Sequence, residues 1–120
     1  MKKINLAEKF TQFTDRWSPK IVGNLNGQQV KLVKIKGEFI MHHHDQEDEL
    51  FLVVKGQLKI AFETETVTLN EGEFIVVPRG VRHKPYAEEE AEVLLFEPAT
   101  TLNTGNESNE MTVHNLENLS

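Results

Sequence analysis

The stretch GEFIMHHHDQEDELFLVVKG, residues 37–56, constrains this chain more than any other. It sets three consecutive histidines and a cluster of acids between two glycines, and it closes on an apolar run. In an extended strand, side chains alternate faces with a period of two. His42 and His44 then share one face with Ile40, and Phe39, Met41 and His43 lie opposite. Two imidazoles side by side make a ready pair of nitrogen ligands. Glu49 opens the apolar run beyond an acidic turn, from where its carboxylate can bend back toward them. Imidazole nitrogen with hard carboxylate oxygen suits a first-row divalent metal rather than copper(I) or an iron–sulfur cluster.

A second stretch, GEFIVVPRGVRH at residues 72–83, answers the first. Proline fixes φ and glycine permits positive φ, so Pro78-Arg79-Gly80 is a defined corner that aims the following residues at a fixed place. His83 is the natural fourth ligand. Three histidines and one glutamate around an octahedral ion leave positions open for water, substrate or dioxygen.

The spacing of the two stretches is specific. The first reads His-x-His, four residues, Glu, six residues, Gly. The second reads Gly, five residues, Pro-x-Gly, two residues, His, and residues 57–71 separate them. Together they resemble the paired motifs of the cupin superfamily, and most closely the small single-domain cupins, among them the mannose-6-phosphate isomerase-like ones. The resemblance implies that His42, His44, Glu49 and His83 bind a divalent ion (iron, manganese, nickel or zinc). It also implies a homodimer, since small cupins usually pair. Two positions depart from the pattern. Four residues rather than five separate Gly37 from His42, and Ala87 stands where the second motif usually ends in asparagine.

Short strands with turns every 8 to 12 residues indicate an all-β barrel or sandwich. The expected fold is a double-stranded β-helix, the jelly-roll cupin barrel, with a short N-terminal helix. The spacing places that helix at about 5–17, capped by Asn5 with Glu8 at the capping-box position, and striped by Leu6, Phe10, Phe13 and Trp17. The core spans 21–98. Asn26-Gly27 is a hairpin turn signal, and Lys31, Lys34 and Lys36 mark a solvent face on the strand that follows. Leu50–Val54 is apolar on both faces, so its outer face needs a cover: a second sheet, the helix or another subunit. Phe74–Val77 reads as a buried strand. Residues 88–92 read as a solvated acidic loop ahead of a last strand at Val93–Phe96, because adjacent carboxylates repel. The polar tail, 99–120, wraps the barrel, and Leu116 and Leu119 could dock on a neighbour.

The 120 residues suffice for one domain, 1–120. Thirteen basic against nineteen acidic residues leave a net charge of −6, which argues against a nucleic-acid partner. There is no cysteine, hence no disulfide or thiolate chemistry. No signal peptide and no apolar run of membrane-spanning length is visible, so a cytoplasmic protein without a membrane partner is expected.

The expected function is a metalloenzyme acting on a small molecule, by dioxygenase, isomerase, lyase or decarboxylase chemistry, as the resemblance implies. The alternative is a barrel that binds a metal or small ligand without turnover, as a sensor. Tyr86 and Glu47 are the candidates for an acid or base beside the metal. Arg79, Arg82 and Lys84 flank His83, and ordinary surface salt bridges are the favoured reading of that cationic rim.

Overall fold

A computed structural model describes residues 1–106 and 110–120. Eight strands follow one short helix: α1 (Leu6–Phe10), β1 (Lys20–Leu25), β2 (Gln28–Glu38), β3 (Glu49–Lys55), β4 (Leu58–Ala61), β5 (Thr66–Leu69), β6 (Phe74–Val77), β7 (Lys84–Pro98) and β8 (Glu117–Asn118). The fold is an all-β jelly roll.

Its frame is the antiparallel pair β2·β7. The pairing runs from Gln28↔Pro98 to Glu38↔Tyr86, with a register shift between Ile35 and Gly37. Bulges of this kind let one strand bend and serve two sheets. The first part of β7 pairs with β4, where Lys59 faces Tyr86. The later part pairs with β3, where Leu50 faces Phe96. One sheet thus runs through β5, β4 and β7, and the other through β6, β3, β7, β2, β1 and β8. The core lies between them. Val33, Ile35, Phe51, Val53, Leu58, Ile60, Val93 and Leu95 are all buried there, with alternate residues of each strand facing outward.

The acidic segment at 88–92 is not a loop. It lies within β7 at the bend, where Glu88, Glu89 and Glu90 are exposed and Ala91 is buried. Adjacent carboxylates are tolerated in a strand that arches outward. Glu90 also meets Arg16 at 2.9 Å.

The helix is shorter than its apolar stripe predicts. Asn5 caps it, accepting from the Glu8 N–H at 2.9 Å, yet it ends at Phe10. Lys34 keeps the rest of the stripe out of the helix. A continuing helix would bond the Trp17 N–H to the Phe13 carbonyl. Here Lys34 takes both groups: its ammonium donates to Phe13 O at 2.7 Å, and its carbonyl accepts from the Trp17 N–H at 2.9 Å. The released segment lets Phe10 and Phe13 pack with Val22 and Leu32 on the outer face of β1 and β2. Trp17 takes a left-handed backbone, φ 60°.

The same packing overturns the solvent face expected for the lysines. Only Lys36 is exposed. Lys34 lies under the N-terminal segment, its ammonium 5.2 Å from the centre of the Phe13 ring. Lys31 points into the barrel, 1% exposed. The strand Phe74–Val77 departs from expectation in the other direction: Val77 is buried, but Phe74 and Val76 are 61% and 49% exposed. On the outer face of β3, Val54 is covered by the N-terminal cluster. Leu119 packs on that same cluster within its own chain, and β8 adds to β1 in parallel.

Because Lys34 satisfies the Phe13 carbonyl, Lys34→Met, which keeps the apolar stem, should lower stability by about 1–2 kcal/mol. Lys36→Met should stay within about 0.5 kcal/mol of wild type. Urea unfolding followed by tryptophan fluorescence checks both.

Candidate metal centre

Two loops that are remote in sequence are stitched together by their own backbones. His42 and His83 form an isolated antiparallel bridge, with N–H···O distances of 3.0 and 2.8 Å in the two directions. The Gly80 N–H donates to His44 O at 2.7 Å. Asp48 Oδ1 accepts from the Arg79 N–H at 2.9 Å. Gly80 has φ 82°, the left-handed conformation its corner requires. This stitching, rather than a regular strand, fixes the histidines. The chain leaves the β2 ladder after Glu38, so the period of two does not carry through to His42. Phe39 accordingly lies on the His42 side rather than opposite it, with its ring edge-on to His42 at 5.4 Å. His43 does turn away, and it pairs with Asp45 at 3.0 Å.

His42, His44, Glu49 and His83 converge. All four are buried, and one ligand atom from each lies within 4.8 Å of the others. Glu49 Oε1 sits 3.3 Å from Nε2 of both His44 and His83. The hydrogen-bond partners orient two imidazoles. His42 Nδ1 lies 2.9 Å from Ile40 O, and His83 Nδ1 lies 2.9 Å from Val81 O. A carbonyl only accepts, so each Nδ1 carries a proton and Nε2 is the ring atom turned to the cluster. His44 differs. Both of its ring nitrogens are buried without an aligned hydrogen-bond partner among the described residues, its approach to Glu49 being close but misaligned.

Protonation follows from burial. Desolvation, with repulsion from His83 added, pushes the His42 pKa down to about 4, so the ring is neutral at pH 7. Burial alone would raise Glu49. The His44 and His83 imidazoles against its Oε1, with the Glu97 side chain, outweigh it and hold the carboxyl well below its ordinary range. A neutral His42, a carboxylate at Glu49 and two further buried imidazoles form a donor set that suits a divalent ion, and the cluster is compatible with one.

Two residues that the sequence reading missed stand behind Glu49. Glu97 is buried, and its Oε1 accepts from the buried Lys31 ammonium at 3.0 Å. Burial, and then the neighbouring Glu49 charge, push the Glu97 carboxyl well above its ordinary range. A signal was present in the sequence. Lys31 is in phase with Val33 and Ile35, and Glu97 with Val93 and Leu95, all of which face inward.

Beside the cluster lies a cavity of about 30 Å³, lined by His42, Glu49 and Asn103 among apolar and aromatic groups that include Trp17, Phe39 and Phe51. Trp17 stacks on Phe39 with ring centres 4.7 Å apart. Tyr86 and Glu47 do not line this cavity. Tyr86 is out of phase with the buried Pro85 and Ala87 on β7, and Glu47 accepts from the Thr100 hydroxyl at 2.9 Å. Ala87 is buried in the core, opposite Gly37. Of the cationic rim, Arg82 meets Glu63 at 3.7 Å and Lys84 meets Glu38 at 2.7 Å.

The start of the C-terminal tail closes over the first ligand loop. The Asn106 N–H donates to His43 O at 3.0 Å, and its side chain exchanges two hydrogen bonds with Asp45, each 2.9 Å. Thr101 and Thr104 are buried beneath it. Gly105, at φ 64°, lies so close that a Cβ would stand 2.0 Å from His43 O.

Comparison with known proteins agrees with this geometry. The cupin domain family model matches residues 30–98. This chain is a cupin. A cupin-2 domain containing protein from Shewanella frigidimarina is 46% identical, covering 79% of this chain and 93% of its own, with a TM-score of 0.79. A protein of known structure from Neisseria meningitidis is 32% identical, covering 82% of this chain and all of its own, with a TM-score of 0.75. YdbB of Bacillus subtilis is 36% identical over 64 residues, or 52% of this chain. The cupin matches only 57% of the length of that relative.

Two outcomes follow. Gly105→Ala should expel the tail from the His43 carbonyl, lower the melting temperature and speed hydrogen exchange at the Asn106 and Asp45 amides. The metal-free cupin should also lose stability as pH falls from about 6.5 toward 4. In that window the unfolded chain binds a proton at His42 that the folded chain refuses, with a slope of at most about 1.4 kcal/mol per pH unit. Urea midpoints at stepped pH should show a shallower slope for His42→Asn.

Proposed function

We propose that His42, His44, Glu49 and His83 hold one divalent ion, and that this cupin is a metal-dependent enzyme for a compact, largely apolar substrate with an oxygen donor. The observation that carries the reading is the buried donor set, two members of which, His42 and Glu49, line a cavity walled by aromatic and aliphatic side chains. A divalent ion bound there would supply Lewis-acid polarisation of a ligand oxygen, or dioxygen chemistry if it is iron.

The chain's own residues do the rest. His42 and His83, oriented by Ile40 and Val81, turn Nε2 to the cluster. Trp17 and Phe39 shield the cavity from water, which strengthens electrostatic interactions inside it. The cavity lining contains no cation among the described residues. A phosphate group would find no cationic side chain there, which favours dioxygenase, lyase or decarboxylase chemistry on an uncharged or monoanionic small molecule.

A non-catalytic ligand-holding barrel is the second reading. It is favoured by one observation: apart from His42 and Glu49, no titratable side chain lines the cavity among the described residues. A homodimer is also proposed. Phe74 and Val76 are exposed on β6, which among the described residues pairs only with β3, and a groove of about 390 Å³ beside them sets Leu50, Val76 and Phe96 among polar groups such as Gln28, Asp48 and Arg79. A second copy seated on this face would cover it.

Elemental analysis of the untagged protein beside His44→Ala tests the metal. Near-stoichiometric iron, manganese, nickel or zinc, lost in the variant, is the expected result. No metal bound or taken up would sink the reading. Oxygen uptake, together with product analysis by mass spectrometry, on small aromatic and aliphatic hydroxy or keto compounds then separates turnover from mere binding. Light scattering of wild type and Phe74→Glu should show a dimer converted to monomer.

A further inference from the structure

The barrel interior carries an ion pair for which the core has no packing need. Lys31 and Glu97 are 1% and 3% exposed, and their charged atoms lie 3.0 Å apart. Burying such a pair usually gains little over apolar residues of similar size, because desolvation cancels the attraction. Its position supplies a reason. In the β3·β7 ladder Leu50 faces Phe96. The next step of an antiparallel register sets Glu49 across from Glu97, both buried and facing inward. In the β2·β7 ladder Gln29 faces Glu97 and Lys31 faces Leu95, so Lys31 reaches Glu97 on the diagonal. Three strands therefore deliver ammonium, carboxyl and ligand carboxylate in line, ending at the histidines.

We propose that Glu97, anchored by Lys31, is a positioning residue that orients the Glu49 carboxylate, so that its Oε1 is the oxygen presented to His44 and His83. The inference rests on the metal reading above. Glu49 Oε1 lies at the same distance, 3.3 Å, from both imidazole Nε2 atoms, so one oxygen faces the cluster, while the buried Glu97 stands across the β3·β7 ladder from it. Glu97 Oε1 takes the Lys31 ammonium. Its Oε2 is buried with no hydrogen-bond partner among the described residues, which leaves that oxygen for Glu49. His42 and His83 are each fixed by a backbone carbonyl; Glu49 takes its orientation from side chains, and that makes it the tunable ligand. Outer groups of this kind typically change metal affinity 10–100-fold, on the order of magnitude known for ligand-supporting contacts.

The test is cobalt(II) titration of the metal-free full-length chain. It reads affinity by chelator competition, and coordination by the visible d–d spectrum. Glu97→Gln keeps an amide donor for Glu49 and an acceptor for Lys31, so it should bind cobalt within about threefold of wild type with an unchanged spectrum. Glu97→Leu should bind about 10–100-fold more weakly with a shifted spectrum. The double variant Lys31→Met/Glu97→Leu leaves no buried unpaired ammonium and should keep the fold. It should show the same loss, and it decides the matter if the single variant unfolds. Wild-type affinity and spectrum in a folded Leu variant would overturn the proposal. So would equal losses in Glu97→Gln and Glu97→Leu, because generic packing would then be responsible. Wild type that takes up no cobalt would instead remove the metal reading itself, and the positioning role with it.

Discussion

The buried carboxylate of Glu49 is the constraint to which the rest of the interior answers. A lone carboxylate in a barrel core costs several kcal/mol or more in lost hydration. Here that cost is offset from two sides, by His44 and His83 at the front and by the Glu97–Lys31 pair behind. Removing any one partner leaves another polar group buried and unmatched. The cluster therefore behaves as a unit, and it is the polar interruption of an otherwise aliphatic and aromatic core.

Holding such a unit together falls to the backbone. The His42–His83 bridge and the Gly80–His44 hydrogen bond join the two ligand-bearing loops, while β3 and β7, paired through Leu50 and Phe96, carry Glu49 and Glu97. The bent β2·β7 pair lets both sheets feed one site, and the tail residues around Asn106 close over the His43 carbonyl from outside. The imidazoles and the carboxylate are thus set by elements that are themselves fixed by ladders, which is the condition for a site that does not have to reorganise to bind.

Much of this was legible in the chain. The two glycine-bounded stretches, the Asn26-Gly27 turn and the alternation in β4 to β6 gave the strands and brought His42, His44, Glu49 and His83 forward as a set. The departures concern charged side chains. Lysine marks solvent, and adjacent glutamates mark a loop, only where no partner strand or covering segment intervenes. Lys31 lies in phase with Val33 and Ile35, and its burial depends on Glu97, far away in sequence. Lys34 lies on the outer face but is covered by Phe13, and in taking the Phe13 carbonyl it also keeps the rest of the apolar stripe out of the helix. The Glu88–Glu90 run stays in β7 because the strand arches outward there.

What the sequence determined by itself was local or periodic: turns made by glycine and proline, alternating faces, and a ligand set whose spacing is a property of the chain. Tertiary structure alone decided which charged side chains are buried, that Tyr86 and Glu47 lie away from the cavity, and that Trp17 and Phe39 stack beside His42. Burial of a charge is decided by whether a partner arrives from another strand. That is set by the register of β2, β3 and β7 against one another, a pairing of residues distant in the chain that no local pattern encodes.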